Sequence, residues 1–167
     1  MADEETLERL LKQLFGKTGE EIQINPPVHV DYGRNTYIGE NFFANMDCIF
    51  LDVAKIIIGD NVMFGPRVSL YTAGHPIHPD IRNTGLEFGK KIGIGDNVWL
   101  GGNVVVMPGV TIGDNVIVGA GSVVTKDLPD NVIALGNPAK VYRKITNRDL
   151  AYWKEKADKY YEESPEK

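Results

Sequence analysis

Aliphatic residues return at every sixth position along much of the chain. The clearest series is Ile94, Leu100, Val106, Ile112, Val118 and Val124. The same phase occurs earlier, at Ile38, Ala44, Ile58, Phe64 and Leu70. A period of six fits neither the 3.6-residue spacing of an α-helix nor the simple alternation of a β-strand. Because the series extends over most of residues 38–124, chance or an ordinary β-sandwich explains it poorly.

A six-residue period is typical of a coil with three short parallel strands in each turn. Each strand would turn one aliphatic side chain inward, and Gly, Asn and Asp would form the corners because they tolerate positive φ. Stacked coils would bury a column of Ile, Val and Leu and satisfy one another's backbone hydrogen bonds. The period does not determine the hand of the coil, although right-handed crossovers are the rule for parallel strands. The pattern therefore predicts a mainly β, parallel coil.

Helical spacing of apolar residues occurs at the two ends. Residues 4–15, EETLERLLKQLF, are predicted to form a short amphipathic helix whose apolar face consists of the leucines and Phe15. A second helix is predicted to be capped near Asn147 and to run into an acidic tail. This second helix would pack beside the end of the coil and cover strand edges that otherwise promote aggregation. The predicted division is an N-terminal helix (1–20), the coil (21–145), and a C-terminal helix and tail (146–167).

Composition narrows the function. The net charge of −5 argues against nucleic acid as the main ligand, because phosphate binding needs a basic surface. No apolar run approaches the ~20 residues of a membrane span, and the acidic start MADEETLERL does not look like a signal peptide. The single cysteine, Cys48, excludes an internal disulfide and suits a reducing compartment. We therefore expect a cytoplasmic protein that binds neither a membrane nor nucleic acid.

One segment, residues 72–91, breaks the period and begins with TAGHP. With the repeats, GAGSVVTKD (119–127) and GNPAKVYRKI (136–145), it resembles the maltose and galactoside O-acetyltransferases, a branch of the hexapeptide-repeat family. The resemblance covers nearly the whole chain from about residue 4. It implies a left-handed parallel β-helix, a homotrimer with active sites between subunits, and acetyl-CoA as cosubstrate. It also implies that residues 72–91 form an extended loop reaching toward a neighbouring subunit.

Transfer of an acetyl group from a thioester to a hydroxyl needs a base, donors for the oxyanion and a groove for the acetyl donor. Imidazole titrates near neutral pH, and the resemblance implies that His75 in TAGHP is the general base. Thiolate leaves readily, so no covalent enzyme intermediate is required, and we expect Cys48 in MDCIF to be a packing residue. His29 and His78 are expected to be structural or surface residues, and no metal site is predicted.

The basic segment PAKVYRKITNR, residues 138–148, contains no acidic residue. The resemblance implies coenzyme contacts at Ala120, Thr125, Lys126, Lys140 and Arg143. Lys140 stands where some relatives have arginine, so a bidentate phosphate contact would become a point charge. Gly102 stands where the family often has a small polar residue contacting the cofactor, so only its backbone can make that contact. Backbone N–H groups near Gly101 would hold the oxyanion. A solvated basic face is the alternative interpretation of the segment.

The acceptor side is less regular. Asn45 matches the family's hydroxyl-binding asparagine and can both donate and accept. Trp99 would line the acceptor pocket, with outward packing between subunits as its alternative role. Asp52 lies near a second acceptor contact, although spacing puts Val53 on that position, and Asp31 takes a place often held by serine. The family also usually has further helical residues ahead of this chain's first helix, and part of the sugar contact comes from them. The acceptor is therefore left open among glucose-like sugars, a cell-wall glycan precursor and a xenobiotic alcohol.

Three alternatives compete with a sugar O-acetyltransferase. A streptogramin-type xenobiotic acetyltransferase would use the same chemistry on another acceptor. A γ-type carbonic anhydrase shares the coil but binds zinc through three histidines from adjacent subunits, and here only His75 and His78 lie close together in sequence. A non-catalytic trimeric scaffold could keep the motifs without turnover. The prediction we favour is acetyl-CoA-dependent transfer to a hydroxyl of a sugar or related small molecule.

Overall fold

The structure, a computed structural model, describes residues 3–163. The helices are α1 (Glu4–Leu14), α2 (Pro79–Arg82) and α3 (Asn147–Glu163). The strands are β1 (Ile22–Ile24), β2 (Val28–Val30), β3 (Thr36–Ile38), β4 (Phe42–Ala44), β5 (Cys48–Leu51), β6 (Ile56–Ile58), β7 (Met63–Phe64), β8 (Ser69–Tyr71), β9 (Ala73–Gly74), β10 (Phe88–Gly89), β11 (Ile92–Ile94), β12 (Trp99–Leu100), β13 (Val105–Val106), β14 (Thr111–Ile112), β15 (Ile117–Val118), β16 (Val123–Val124), β17 (Val132–Leu135) and β18 (Lys140–Lys144). Within residues 3–163, no helix has the length and apolar character needed to cross a membrane.

Most of the strands stack into three sheets that form the sides of a prism. Sheet A has the order β14-β11-β6-β3, sheet B the order β1-β4-β7-β12-β15-β17-β18, and sheet C the order β16-β13-β8-β5-β2. The chain visits sheets B, C and A in turn, and equivalent residues of successive coils lie side by side, as Ile58 does with Ile38 and Ile94. The fold is a left-handed parallel β-helix of about six turns, so the predicted fold class is confirmed.

The six-residue pattern marks the core. Every periodic residue from Ile38 to Val124 named above is buried, with at most 4% of its surface exposed. The residue two positions earlier is buried as well, as at Ile92, Val98 and Val104. The prediction of one inward side chain per strand was therefore too low, because residues two apart on a strand share a face. Two side chains per hexapeptide fill the prism.

Left-handed backbone turns the corners, as the composition of the repeats predicted. Positive φ values occur at Asn41, Asn61, Asn97, Asn115 and Asn131. Their side-chain amides link one coil to the next; Nδ2 of Asn97, for example, donates to Oδ1 of Asn115 at 3.1 Å. At another corner Arg67 adopts φ 58°, a conformation that costs more for a long side chain than for glycine or asparagine.

The two ends of the coil are closed differently. At the N-terminal end, Leu11 of α1 and Phe15, the residue that follows the helix, are buried. The Phe15 ring meets the Phe50 ring edge-on at a centroid distance of 5.7 Å. At the other end, β18 pairs antiparallel with β17 and covers the edge of sheet B. None of the side chains of α3 is buried. The prediction that the C-terminal helix covers the coil's edge is therefore wrong for the single chain, because β18 takes that place.

The chain leaves the coil between β8 and β11, within the predicted loop of residues 72–91. Strands β9 and β10 pair antiparallel at the base of this loop, and α2 lies between them in sequence. Arg82 stabilises the distal part, since its Nη1 donates to the backbone oxygens of Pro76 and Ile77 at 3.2 and 2.8 Å. The side chain of Ile77 is 96% exposed. The loop is thus an ordered projection with an uncovered apolar residue.

Candidate active site

His75 lies in this loop, directly after β9. Its Nδ1 is 3.0 Å from the backbone oxygen of Leu86. Because a carbonyl oxygen can only accept, this contact requires the proton on Nδ1. In the neutral ring, Nε2 then carries the lone pair. About half of the His75 side chain is exposed.

A carboxylate that sequence reasoning missed lies beside this imidazole. Oε1 of Glu87 is 3.8 Å from Nε2 of His75, which is too long for a hydrogen bond but close enough for charge interaction. The carboxylate thus places a negative charge beside the nitrogen that would take a proton in the predicted role of His75. Glu87 comes close to His75 because β9 and β10 pair as a hairpin, with His75 directly after β9 and Glu87 directly before β10.

The other two histidines lie where surface or structural residues were expected. Nδ1 of His78 accepts from the N–H of Asp80 at 3.3 Å and caps the short helix α2. His29 is exposed on β2. Among residues 3–163, no group of three or more His, Cys, Asp or Glu side chains could hold a metal ion.

Asn45 and Trp99 share an open groove on the outer face of sheet B. The groove has a volume of about 320 Å³ and is lined by Phe43, Asn45, Met63, Phe64, Gly65 and Trp99. The strand register places Trp99 directly beside Met63, and both side chains are about half exposed. The structure therefore brings these two predicted acceptor residues together, on a surface that is mostly apolar.

The orientation of Asn45 limits what it can do. Its Oδ1 accepts from the N–H of Met46 at 2.8 Å, which directs Nδ2 away from that turn. With one lone pair of Oδ1 occupied, Asn45 offers both Nδ2 donors and one remaining acceptor site to a ligand. Below it, the thiol of Cys48 is 3.1 Å from the backbone oxygen of Asn45 and is fully buried. Burial raises the pKa of this thiol, which suits the expected packing role and not that of a nucleophile.

Two backbone N–H groups stand open at one corner of the coil. Those of Gly102 and Ala120 have no hydrogen-bond acceptor among residues 3–163. The two residues lie on consecutive coils, because each follows the end of a sheet B strand by two positions and those strands pair in register. A Cβ at Gly65 would lie 2.5 Å from the nitrogen of Gly102, and a Cβ at Gly101 would lie 2.6 Å from that of Ala120. Glycine at these two positions keeps the space in front of both donors open.

Lys140 and Arg143 lie on the outer face of sheet B because of an irregularity in β18. Residues three apart on a regular strand face opposite sides. Here Lys140 pairs with Leu135 and Arg143 pairs with Ile133, with a register shift between Ile133 and Ala134. The bulge leaves Tyr142 unpaired and brings both basic residues to the face that carries Trp99. These side chains and the open N–H groups form a donor set that fits a phosphorylated, amide-containing ligand such as coenzyme A.

Asp31 is exposed just after β2, whereas Asp52 is fully buried. The Asp52 carboxylate accepts from backbone N–H groups of Tyr32, Gly33 and Asn35 and from the hydroxyl of Thr36, all within 3.2 Å. No lone pair remains for a ligand, so the structure does not support the predicted acceptor contact. Asp52 instead ties the turn that follows Asp31 to the second coil.

Comparison with known proteins identifies the family. The family model for bacterial transferase hexapeptide (six repeats) matches residues 91–126. The galactoside O-acetyltransferase of Escherichia coli K12 is 47% identical over 149 residues, which is 89% of this chain and 73% of that protein. The chain belongs to the hexapeptide-repeat O-acetyltransferases.

Two solved structures place it more narrowly. A maltose O-acetyltransferase from Clostridium difficile 630 matches with a TM-score of 0.86 and 58% identity, over 87% of this chain and 79% of that one. A galactoside acetyltransferase in complex with coenzyme A matches with a TM-score of 0.88 and 47% identity, over 89% and 74%. The predicted resemblance to the maltose and galactoside branch is confirmed, as is the prediction of an O-acetyltransferase.

In this acetyltransferase the predicted site residues other than Lys140 and Arg143 lie at or near two edges of sheet C. The edge at the amino ends of its strands carries Asn45, Gly102 and Ala120, with Trp99 close by on sheet B. The edge at the carboxyl ends carries Asp31, Thr125, Lys126 and the loop with His75. The loop joins the coil at that second edge, where the N–H of Lys90 donates to the oxygen of Thr72 at 2.8 Å. A single chain therefore presents two separate halves of the predicted site.

Proposed function

We propose that the protein transfers the acetyl group of acetyl-CoA to a hydroxyl of a sugar or related small molecule. The observation that carries this proposal is the 3.0 Å contact between Nδ1 of His75 and the Leu86 carbonyl, which in the neutral ring leaves the lone pair on Nε2 of a half-exposed side chain. Relatives named galactoside and maltose O-acetyltransferases support the reaction class. A related structure solved with coenzyme A supports the acetyl donor.

In the proposed reaction, Nε2 of His75 takes the proton of the acceptor hydroxyl as its oxygen attacks the thioester carbonyl carbon. The C=O bond opens to an oxyanion, which the open N–H of Gly102 stabilises. The intermediate collapses, the C–S bond breaks, and the imidazolium returns its proton to the leaving sulfur. The products are an O-acetyl ester and coenzyme A. No covalent enzyme intermediate is invoked, and the buried Cys48 is not in a position to supply one.

The proposed assembly is a homotrimer with active sites between subunits. Its support is the separation of the site residues onto two edges of sheet C, which a symmetric ring would bring together at each interface. The exposed loop residues Ile77, Ile81 and Leu86 are the kind of surface that such an interface covers. In this arrangement His75 of one subunit would face Asn45 and Gly102 of the next.

For acetyl-CoA, we assign the amide-containing arm to the N–H of Ala120 and the phosphates to Lys140 and Arg143. Thr125 and Lys126, exposed at the opposite edge, would contact the coenzyme from the other side of the same interface. No metal is part of the proposal. A cytoplasmic location also remains a proposal, based on the single unpaired cysteine.

The acceptor would lie in the groove of Asn45 and Trp99. The Nδ2 group of Asn45 can donate to the acceptor oxygen and leave its proton directed elsewhere. Trp99 and Met63 offer apolar faces against which a sugar ring or an apolar aglycone can stack. These features fit a small uncharged polyol or glycoside. No observation on the described residues favours a γ-type carbonic anhydrase or a scaffold.

The test is thiol release from acetyl-CoA, measured for the wild type, His75→Ala and His78→Ala with a panel of sugars, glycosides and xenobiotic alcohols. We expect acceptor-dependent release that falls at least about 100-fold in kcat for His75→Ala, the usual scale for a lost general base. His78→Ala is the matched control from the same loop and should retain activity. Equal turnover by wild type and His75→Ala would refute the proposed base. No coenzyme A binding at all would refute the proposed reaction.

A further inference from the structure

The guanidinium of Arg143 is held by an acidic residue that the proposed function does not use. Asp149, in the first turn of α3, accepts from both terminal nitrogens of Arg143, with Nη1 to Oδ2 at 2.9 Å and Nη2 to Oδ1 at 2.7 Å. Nη1 also donates to the backbone oxygen of Lys144 at 2.9 Å. Three of the five N–H donors of the side chain are therefore occupied within the chain.

The two remaining donors form the other fork of the guanidinium. Nε and the second N–H of Nη2 lie side by side on one planar edge, and neither has an acceptor among residues 3–163. An arginine edge of this kind matches two oxygens of a phosphate. The contacts with Asp149 and Lys144 thus fix the plane of Arg143 while leaving a bidentate edge available.

Asp149 is itself rigidly placed. Its Oδ2 accepts from the N–H of Thr146 at 2.8 Å and from the hydroxyl of Thr146 at 3.2 Å, an arrangement that caps the start of α3. Hydrogen bonds from Arg143 and then Thr146 hold the pKa of the Asp149 carboxyl well below its usual range, so it is ionised at any working pH. The carboxylate is therefore a fixed point on the backbone of α3.

Stability alone does not account for this pair. The side chains of Arg143 and Asp149 are 45% and 25% exposed, and ion pairs at such sites generally add little to folding free energy. Their geometry is instead suited to orientation, because an arginine side chain otherwise loses considerable rotamer freedom when it binds a ligand. The bulge at Tyr142 turns Arg143 to the outer face, and Asp149 then selects one rotamer there.

We propose that Asp149 is a positioning residue for coenzyme binding, which holds Arg143 so that its Nε–Nη2 edge meets a phosphate group. This inference rests on the proposed function, in which Arg143 contacts the coenzyme. It also gives α3 a role in the site, since the helix start carries the carboxylate that orients the arginine.

The experiment measures coenzyme A affinity by calorimetry, and kcat and KM by thiol release, for Asp149→Asn, Arg143→Ala and the double variant. Asparagine retains an oxygen that can cap Thr146 but loses the charge and the second acceptor for Arg143. We expect Asp149→Asn to weaken coenzyme A binding about three- to tenfold, the range for one side chain that must be ordered on binding. Its kcat at saturating acetyl-CoA should stay within about twofold, and it should add nothing in the Arg143→Ala background.

Two controls separate positioning from a structural effect. Glu155→Gln removes another acidic partner in α3, from its ion pair with Lys159, and should leave coenzyme affinity unchanged. Thr146→Ala weakens the helix cap but leaves both Arg143 contacts of Asp149, and should also bind coenzyme A normally. Weaker binding by Thr146→Ala equal to that of Asp149→Asn would overturn the inference in favour of a structural role.

The remaining outcomes separate the positioning role of Asp149 from the coenzyme contact of Arg143. If Arg143→Ala weakens binding but Asp149→Asn does not, or if the effect of Asp149→Asn persists without Arg143, the positioning role is wrong and the coenzyme contact stands. If Arg143→Ala binds coenzyme A as tightly as the wild type, the contact itself is wrong and the inference fails with it.

Discussion

Replacing Asp52 tests whether this buried carboxylate holds the fold or contacts the acceptor. Of its four donors, the N–H of Gly33 and the hydroxyl of Thr36 are buried, so Asp52→Ala would leave them without water or protein partners. Each buried donor left without a partner lowers the free energy of unfolding by about 1–3 kcal/mol, so Asp52→Ala should lower it by about 4 kcal/mol for the two donors. Asp52→Asn keeps one acceptor oxygen for Tyr32 and Gly33 but sets its NH₂ group against the N–H of Asn35. We expect Asp52→Asn to lower the free energy of unfolding by about 2 kcal/mol.

The assay is urea and thermal unfolding at one fixed protein concentration, because the stability of the proposed homotrimer would depend on concentration. Asp60→Asn is the matched control: its Oδ1 accepts from the N–H of Glu40 at 2.7 Å, but the carboxylate is exposed. Asp60→Asn should lower the free energy of unfolding by less than about 1 kcal/mol. If Asp52→Asn had wild-type stability and a raised KM for the acceptor, the structural role of Asp52 would be wrong, and a direct contact with the acceptor would be supported.

Three further changes test other parts of the structure. Glu87→Gln should lower kcat about two- to fivefold, because the imidazolium of His75 loses a half-exposed negative neighbour; unchanged kcat would exclude that role. Arg67→Asn should raise the free energy of unfolding by about 0.5–1 kcal/mol, because asparagine tolerates the φ of 58° better; a loss in urea unfolding would contradict this. The raised pKa of Cys48 means that the native thiol keeps a proton that the unfolded chain loses. Stability should therefore fall as pH rises past the ordinary value of 9.0, and Cys48→Ala should abolish this component in unfolding curves recorded from pH 8 to 10.5.

The regular part of the fold could be predicted because its cause is local. A strand of two or three residues needs its inward positions apolar, and a corner needs residues that accept positive φ. Both requirements therefore repeat in the sequence with the period of the coil. Ile94 and its equivalents are buried, and Asn97 and its equivalents turn the corners, as the pattern indicated. The break in the period likewise marked the loop that carries His75.

Some hydrogen-bond partners in and near the site could not be predicted, because they come from other coils. The N–H of Gly102 is open only because its neighbours along the prism axis leave it unpaired and Gly65 has no side chain. Asp52 takes its donors from residues 16 to 20 positions earlier, so the resemblance placed it near a ligand contact that the structure does not support.

The sequence by itself determined the coil, its inward column, its corners and the position of the loop, since each follows from the conformational preference of a few adjacent residues. Only the tertiary structure decided which polar groups are saturated and which are open. It alone placed the Leu86 carbonyl at Nδ1 of His75, fixed the plane of Arg143 through Asp149, and separated the site onto two edges of one sheet. Those properties depend on where separate segments meet in space: the two arms of the loop for His75 and Leu86, the turn between β18 and α3 for Arg143 and Asp149, and the stacked coils for the two edges.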